Sequence, residues 1–574
     1  MDAPANLLTQ WARLLIGALE RAGVSHAVIS PGSRSTPLVA AILDSGTAYD
    51  VVIDERSAAF YALGMAKVTG RASLLVCTSG SALAHYFPAV IEADESQIPL
   101  LILSADRPLE LQACRAPQTI DQTALFGRRA RLFLDLGAPV ASERALLALR
   151  RKAVQALMAS LGPVPGPVHL NFPADKPLEP KSAENGAEQA LTTLVTRLLE
   201  STPRAFIAER YPSPAGVSAL LELAARATRP LFTFGPHPVH AAAAMRALAR
   251  VVSEAGWPSF AECTSQVRLL DDNPSLIANF DRLQHARDGL IPDLVVHAGG
   301  PLTSGPFQRL LSANSSIHLA LLSSFDWPDP EQRAELVVNA DPGHLATALA
   351  GRLPRAASGW QEQLAKAQAA FETQREQTAT ALADQGFSDP MVFRILSRTL
   401  ADGDQLVLGN SLPVRLADTW LTPTGRTLAC VSQRGANGID GLISSAAGAS
   451  RAALGHTVLV LGDISALHDQ GGLEILARSS ASLCVLIINN GGGRIFEQLP
   501  IAGLASTDAW ITPHSAQLWR LGAVWSIPSM LVESAAELEA ALRQARSQGG
   551  PTLIEARVTP HGAKRWAEAL ASDH

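Results

Sequence analysis

From His26 onward, short apolar runs rich in β-branched residues alternate with Ala/Leu-rich stretches of helical length, and this alternation restricts the fold more than any other feature. In the first part of the chain the runs are Ala27–Ser30, Tyr49–Ile53, Leu74–Cys77 and Pro99–Leu103. Continuous apolar runs suit strands buried on both faces, and helical crossovers between them make successive strands parallel. Each run ends in small or polar residues: Pro31-Gly32-Ser33-Arg34-Ser35, Asp54-Glu55-Arg56, Thr78-Ser79-Gly80-Ser81 and Ser104-Ala105-Asp106-Arg107-Pro108. Open α/β sheets bind ligands at the carboxyl ends of their strands, so these loops are where chemistry is expected.

The pattern recurs twice. Pro230–Phe234, Asp293–His297 and Leu336–Asn339 read as strands of a middle unit. After a long Ala/Gln/Glu-rich helix, Trp360 to Asp384, strands are expected near Gln405–Leu408, Leu428–Val431, Thr457–Leu461 and Leu483–Ile488. A Pro-rich segment runs from Val164 to Pro180, the polar stretch after it, Lys181 to Ala190, is where the first linker is expected, and a second boundary falls near Leu353 to Ser358. A length of 574 residues suits about three domains. The expectation is three doubly wound α/β domains with mainly parallel sheets, over residues 1–180, 195–355 and 385–574.

Lys plus Arg total 47 against 53 Asp plus Glu, a net charge of −6 with no basic block, which argues against nucleic-acid binding. Cys77, Cys114, Cys263, Cys430 and Cys484 are widely spread and form no C-x-x-C pair, so buried reduced thiols are expected rather than zinc or disulfides. Arg13 interrupts the apolar run of the first helical stretch, Leu7 to Ala22, which lacks the pattern of a signal peptide. Runs such as Leu483 to Ile488 are too short to span a bilayer. A cytoplasmic protein without membrane insertion is expected. No strand is followed by G-x-G-x-x-G, which argues against a nicotinamide-dependent enzyme.

The most specific chemical signal is Leu459-Val460-Leu461-Gly462-Asp463, followed after a helical stretch by Val485-Leu486-Ile487-Ile488-Asn489-Asn490. Strands ending in Gly-Asp and Asn-Asn can set two oxygen side chains side by side at one sheet edge. Hard Mg²⁺ takes such oxygens together with phosphate and water. Asp463 supplies charge, Asn490 a neutral carbonyl, and Gly492 a free backbone carbonyl. Taken alone, the pair also matches two ordinary strand-end turns.

The spacing resembles the diphosphate-binding signature of thiamine-diphosphate enzymes, with Gly462-Asp463-Ile464 in place of the commoner Gly-Asp-Gly start. Val52-Ile53-Asp54-Glu55-Arg56 puts a carboxylate at a helix start, where the macrodipole alone would favour one. By the resemblance, Glu55 hydrogen-bonds N1′ of the cofactor's aminopyrimidine. Ile439, between the glycines of Gly435-Ala436-Asn437-Gly438-Ile439-Asp440-Gly441, is the apolar wedge below the cofactor's two rings, or on the plainer reading a core residue. The resemblance also assigns Ser79, Gly80, Gly462, Ile464, Ser465 and Ile495 to cofactor binding, and Mg²⁺, or Mn²⁺ in its place, to Asp463, Asn490 and Gly492. The three domains become pyrimidine-binding, middle and diphosphate-binding.

Longer runs, in order over both outer domains, resemble one family of this group, 2-succinyl-5-enolpyruvyl-6-hydroxy-3-cyclohexene-1-carboxylate (SEPHCHC) synthase of menaquinone biosynthesis. They include Ser30-Pro31-Gly32-Ser33-Arg34-Ser35-Thr36, Asn410-Ser411-Leu412-Pro413-Val414-Arg415, Arg434-Gly435-Ala436-Asn437-Gly438-Ile439-Asp440-Gly441 and Asn489-Asn490-Gly491-Gly492-Gly493-Arg494-Ile495-Phe496. The resemblance implies decarboxylation of 2-oxoglutarate and 1,4-addition of a succinyl-semialdehyde carbanion equivalent to isochorismate. Both substrates are dicarboxylates, and Arg forks bind carboxylates bidentately. By resemblance Ser33, Arg34, Arg107 and Gln118 contact isochorismate, Ser411 and Arg415 hold the 2-oxoglutarate-derived carboxylate, and Arg434 can serve either. Ile495, Phe496 and Leu499 match an apolar wall that keeps water from the reacting carbon. Glu55, Gln118, Arg34, Ser33 and Arg415 form the implied catalytic set, in a homodimer or homotetramer with active sites between subunits.

The chain departs from the family pattern in two places. Pro117 stands where an Asn commonly precedes the residue matching Gln118, and Leu302-Thr303-Ser304-Gly305-Pro306 lacks the family's basic residue, for which Arg309 is the candidate substitute.

Overall fold

The computed structural model describes residues 4–270, 273–283, 290–422, 425–503 and 506–572. The outermost residues of the two terminal domains expected from sequence, 1–3 and 573–574, lie outside these. Three all-parallel sheets carry the described strands. The first holds β1 (His26–Ile29), β2 (Ala48–Val51), β3 (Ser73–Cys77), β4 (Leu100–Asp106), β5 (Leu132–Asp135) and β6 (Pro167–Pro173), in the order β2-β1-β3-β4-β6-β5. The second holds β7 (Pro230–Phe234), β8 (Ser259–Ala261), β9 (Leu294–Ala298), β10 (His318–Ser323) and β11 (Leu336–Asn339), ordered β11-β10-β9-β7-β8. The third holds β12 (Gln405–Leu408), β13 (Ala429–Ser432), β14 (Thr457–Gly462), β15 (Leu483–Asn489), β16 (Ser529–Val532) and β17 (Pro551–Arg557), ordered β13-β12-β14-β15-β17-β16. The doubly wound α/β expectation holds in all three.

Central strands such as β3, β4 and β15 are buried along their whole length, which explains why their sequences do not alternate. Strand bounds differ from the sequence reading by up to three residues, as for β4, and the long helix runs Ser358–Ala381. One difference is larger. The Pro-rich segment Val164 to Pro180, for which the sequence reading names no strand, contains β6, a fully buried strand between β4 and β5. Its prolines, Pro167 and Pro173, sit at its two ends, where a missing N–H costs the ladder least.

Contacts divide the chain into two compact units. One comprises residues 1–208 with 435–452 and 471–475, and the other holds the second and third sheets. Within the first unit, helix Leu442–Ala452 packs on helix Glu55–Thr69.

In each sheet the strand order changes direction beside its first strand, opening a crevice at the strands' carboxyl ends. In the first sheet it lies between β1 and β3, flanked by Ser30–Arg34 and Thr78–Ser81. In the third it lies between β12 and β14, flanked by Gly409–Ser411 and Gly462–Asp463. In the second, backbone closes it: Gly235 N–H donates to Ala298 and Gly300 N–H to Pro236.

Candidate active site

In the first unit the crevice loops are bonded to one another. Gly32 lies so close to Thr78 that a Cβ there would come within 2.3 Å of the threonine Cβ. Arg34 N–H donates to Thr78 Oγ1 at 3.3 Å, and its guanidinium to Ala174 O at 2.8 Å. Arg34 is buried, and burial, reinforced by Arg107, pulls its pKa below the usual guanidinium value. An anionic ligand would relieve both effects. Ser33, next to it, is exposed.

Arg107 donates to Ser79 Oγ at 2.9 Å and to Pro117 O at 3.1 Å, and Ser79 donates to Gln118 O at 3.0 Å. Ser33, Arg34, Ser79, Gly80, Arg107 and Gln118 therefore sit on linked loops. Pro117, the departure from the family pattern, contributes only its carbonyl to this link, which a proline still possesses. Gln118 is exposed, with a positive φ of 52°. Gly80 adopts φ 92°, a conformation that strains other residues, and a Cβ there would lie 3.2 Å from the Gln118 carbonyl oxygen.

Sequence reasoning missed what holds this loop. Gln122 is buried and accepts from Gly80 N–H at 2.9 Å, while its amide nitrogen donates to Asn171 Oδ1 at 2.9 Å. Asn171 in turn donates to Asp106 Oδ2 at 2.8 Å, and Asp106 Oδ1 accepts from Arg107 N–H. Burial pushes the Asp106 carboxyl up from its ordinary value. Asn171 lies on β6, inside the Pro-rich segment, so no sequence signal pointed to it.

Glu55 opens helix Glu55–Thr69, capped by Asp54, whose Oδ1 accepts from Ser57 N–H at 3.2 Å. Ile439 is half-buried in the segment entering helix Leu442–Ala452. That segment lies against the Glu55 helix: Gly441, at φ 65°, has the Phe60 ring 2.0 Å from where a Cβ would be.

In the second unit, Gly462 ends β14 and Asp463 opens the next helix, with its carboxylate buried. Asp463 Oδ2 accepts from Gly492 N–H at 2.9 Å and lies 3.3 Å from His514 Nε2, and Oδ1 accepts from Ile464 N–H at 2.7 Å. Burial drives the Asp463 carboxyl up, against these donors. Asn490 donates its Nδ2 to Asp389 Oδ1 at 2.7 Å, which leaves its Oδ1 buried without a hydrogen-bond partner. Burial raises Asp389 to about 6, and the Asp463 carboxylate adds to that rise.

A carboxylate short of compensating charge, an unpartnered amide oxygen and the Gly492 carbonyl fit a hard divalent cation. Ser465 is buried one turn into the Asp463 helix, and Ile464 half-buried. Ile495 packs partly against the unit's core and Phe496 is half-buried, whereas Leu499 is 43% exposed. Asp389 and His514 were not legible as partners, because each is a single polar residue far from the motif in sequence.

On the β12 side of the same crevice, Ser411 adopts φ 71° at the start of helix Leu412–Trp420, and Arg415 donates to Ser411 O at 2.8 Å. Arg434 donates to Asn410 Oδ1 at 2.9 Å, and Asn410 donates to Gln433 O at 2.9 Å. Glu262 is buried at the end of β8 with one oxygen unpartnered, and Arg434 and Arg415 both feel its charge. Arg309 is exposed on helix Gly305–Ala313.

Residues 9–125 match the thiamine pyrophosphate enzyme N-terminal TPP binding domain, and residues 420–556 the corresponding C-terminal TPP binding domain. With the parallel sheets and the oxygen cluster at β14 and β15, these matches define a thiamine-diphosphate-dependent enzyme. The 2-succinyl-5-enolpyruvyl-6-hydroxy-3-cyclohexene-1-carboxylate synthase of Sorangium cellulosum is 40% identical over 99% of this chain and 96% of its own length. Synthases of the same name from Myxococcus xanthus and Geobacillus kaustophilus are each 37% identical over 97% of the chain and 96% of theirs. The chain belongs to the 2-succinyl-5-enolpyruvyl-6-hydroxy-3-cyclohexene-1-carboxylate synthase family.

Proposed function

We propose that this chain joins 2-oxoglutarate to isochorismate with loss of CO₂, giving SEPHCHC, with thiamine diphosphate and Mg²⁺ as cofactors and Mn²⁺ as the alternative ion. The observation that carries the cofactor half is the buried pair of Asp463 and Asn490, the second with its oxygen unpartnered. End-to-end similarity to synthases of that name supports the substrates. Thiamine diphosphate supplies the electron sink that decarboxylation of a 2-oxo acid requires.

The protein's own groups do the rest. In the second unit Asp463, Asn490 and the Gly492 carbonyl would hold the cation, and Gly462, Ile464 and Ser465 would bind the cofactor's diphosphate. In the first unit Ser79 and Gly80 would bind the cofactor, Ile439 would support its rings and Glu55 would hydrogen-bond N1′. Ser411 and Arg415 grip the 2-oxoglutarate carboxylate, and Ser33, Arg34, Arg107 and Gln118 grip isochorismate. Arg434 serves whichever carboxylate lies nearer. Ile495, Phe496 and Leu499 exclude water, which would otherwise protonate the reacting carbon. The overall step consumes one proton: 2-oxoglutarate, isochorismate and H⁺ give SEPHCHC and CO₂.

Three α/β domains over 1–180, 195–355 and 385–574 accord with the three sheets. We read the working form as a homodimer or a dimer of dimers, which light scattering would decide. Free cysteines, Cys114 exposed and the other four buried, suit a reducing cytoplasm. Among the described residues no helix is long and apolar enough to cross a membrane.

The test mixes purified protein with thiamine diphosphate, Mg²⁺, 2-oxoglutarate and isochorismate, following CO₂ and the mass of the adduct. An adduct of the SEPHCHC mass establishes the reaction. CO₂ release without that adduct would move the function to another carboligase.

A further inference from the structure

We infer that the buried Lys67 and Glu92 pair is a positioning device for the loop that carries Ile439. Lys67 sits near the end of helix Glu55–Thr69 and Glu92 on helix Phe87–Glu95, 4% and 3% exposed, with Nζ 2.8 Å from Glu92 Oε1. A buried ion pair is a poor source of net stability, because an apolar pair of similar volume usually does as well. What the carboxylate adds is direction. Oε1 also accepts from Gly435 N–H at 3.1 Å, and Oε2 accepts from Ala436 N–H at 2.7 Å. Two consecutive amides, more than 300 residues away in sequence, thus close on one carboxylate.

The approach is close enough to require glycine, since a Cβ on Gly435 would lie 2.8 Å from Ser96 N and 2.9 Å from Glu92 O. At the loop's other end Gly441 rests on the Phe60 ring. Ile439 lies between these two pins, and both pins are fastened to helices that pack on one another, one of them opening with Glu55. The height of Ile439 relative to Glu55 is therefore set by Glu92 and Phe60. Glu92 touches neither cofactor nor substrate in this scheme. The inference rests on the reading of Ile439 as the support beneath the cofactor rings.

The first measurement uses the unmodified protein without cofactor. Amide hydrogen exchange at Gly435 and Ala436 should be slowed by about a hundred-fold or more relative to an open chain, since both protons are bonded to a buried acceptor. Exchange at the open-chain rate overturns the inference outright. The second compares the neutral pair Lys67→Met with Glu92→Gln, which avoids stranding one buried charge. Expected are faster exchange confined to the Gly435–Gly441 segment and thiamine diphosphate binding weakened by about ten-fold or more, as for a lost supporting contact. A folded double variant with wild-type cofactor affinity overturns the positioning role, even if its melting point drops. Loss of the synthase reaction in the wild type would instead remove the functional reading, and the exchange data would still judge the anchor.

Discussion

At Gly64 and at Gly448, helices Glu55–Thr69 and Leu442–Ala452 approach backbone to backbone. A Cβ on Gly64 would lie 1.9 Å from Ser445 O, and one on Gly448 1.9 Å from Tyr61 O. Neither neighbour is the yielding end of a side chain, so a methyl group at either site must push the helices apart.

Gly448→Ala should therefore destabilise by about 3 kcal/mol, at the upper end for overpacking, despite the better helix propensity of alanine. Because one helix opens with Glu55 and the other follows Ile439, activity should fall along with the melting temperature. A variant as stable and active as the parent would show that the crossing is looser than described.

Glu55→Gln keeps the shape of the helix start and removes the carboxylate. With Asp54 still capping the helix, cofactor binding should stay near the parent value. Turnover should drop by about 100-fold or more, as expected for loss of a proton-handling group. Binding by fluorescence titration and turnover by CO₂ release separate the two effects. Undiminished turnover would remove Glu55 from the activation step.

Asn490→Ala removes an oxygen that has no hydrogen-bond partner and also strips Asp389 of its side-chain donor. Asp463→Asn keeps an acceptor for Gly492 N–H but loses the charge. Both should weaken Mg²⁺-dependent binding of thiamine diphosphate by about ten- to 100-fold. Titrating the cofactor at fixed Mg²⁺ measures this. If Asp463→Asn binds as the parent does, the cation is held elsewhere.

His169 is fully buried, its Nε2 2.8 Å from Ser104 Oγ, next to the Gln122 and Asn171 network that holds Gly80. Burial depresses its pKa to about 3, below the ordinary imidazole value near 6.5. The unfolded chain therefore binds this proton first on acidification. The stability this implies is complete above about pH 6.5 and is lost as pH falls toward 3, by up to about 1.4 kcal/mol per pH unit. His237 and His297, each held near 4 by burial, act with the same sign. His169→Gln should flatten the fall in urea midpoint between pH 6.5 and 4. Equal slopes in variant and parent would mean that His169 does not titrate with unfolding.

Local rules made the fold legible. Fully buried strands such as β4 and β15 announce themselves as apolar runs, and the site loops follow them directly. Asp463, Asn490, Glu55 and Arg434 stand where the motifs put them, at strand ends and helix starts. The supports were not legible. Gln122, Asn171, Glu92 and Asp389 each act through hydrogen bonds to residues distant in sequence, and a lone polar residue carries no periodicity to reveal its partners. β6 was hidden for another reason: its prolines signal a turn, and only the topology shows that they stand at strand ends.

Arg415 offers the sharpest test of how the two carboxylate substrates are divided. Its guanidinium is exposed and folded back onto Ser411 O, a hydrogen bond that a carboxylate can replace with a stronger, charge-assisted one. Arg34, by contrast, is buried and already bonded to Ala174 O, so it is pre-positioned and its loss disturbs packing as well. Arg415→Ala should therefore raise the KM for 2-oxoglutarate by about ten- to 100-fold, the worth of a charged hydrogen bond, with little change in thermal stability. The KM for isochorismate should move far less. Arg415→Lys should recover only part of the loss, because an ammonium offers no planar fork. If the burden instead falls on isochorismate, the two arginine sets exchange substrates. The helix that follows Ser411 would then receive the isochorismate carboxylate.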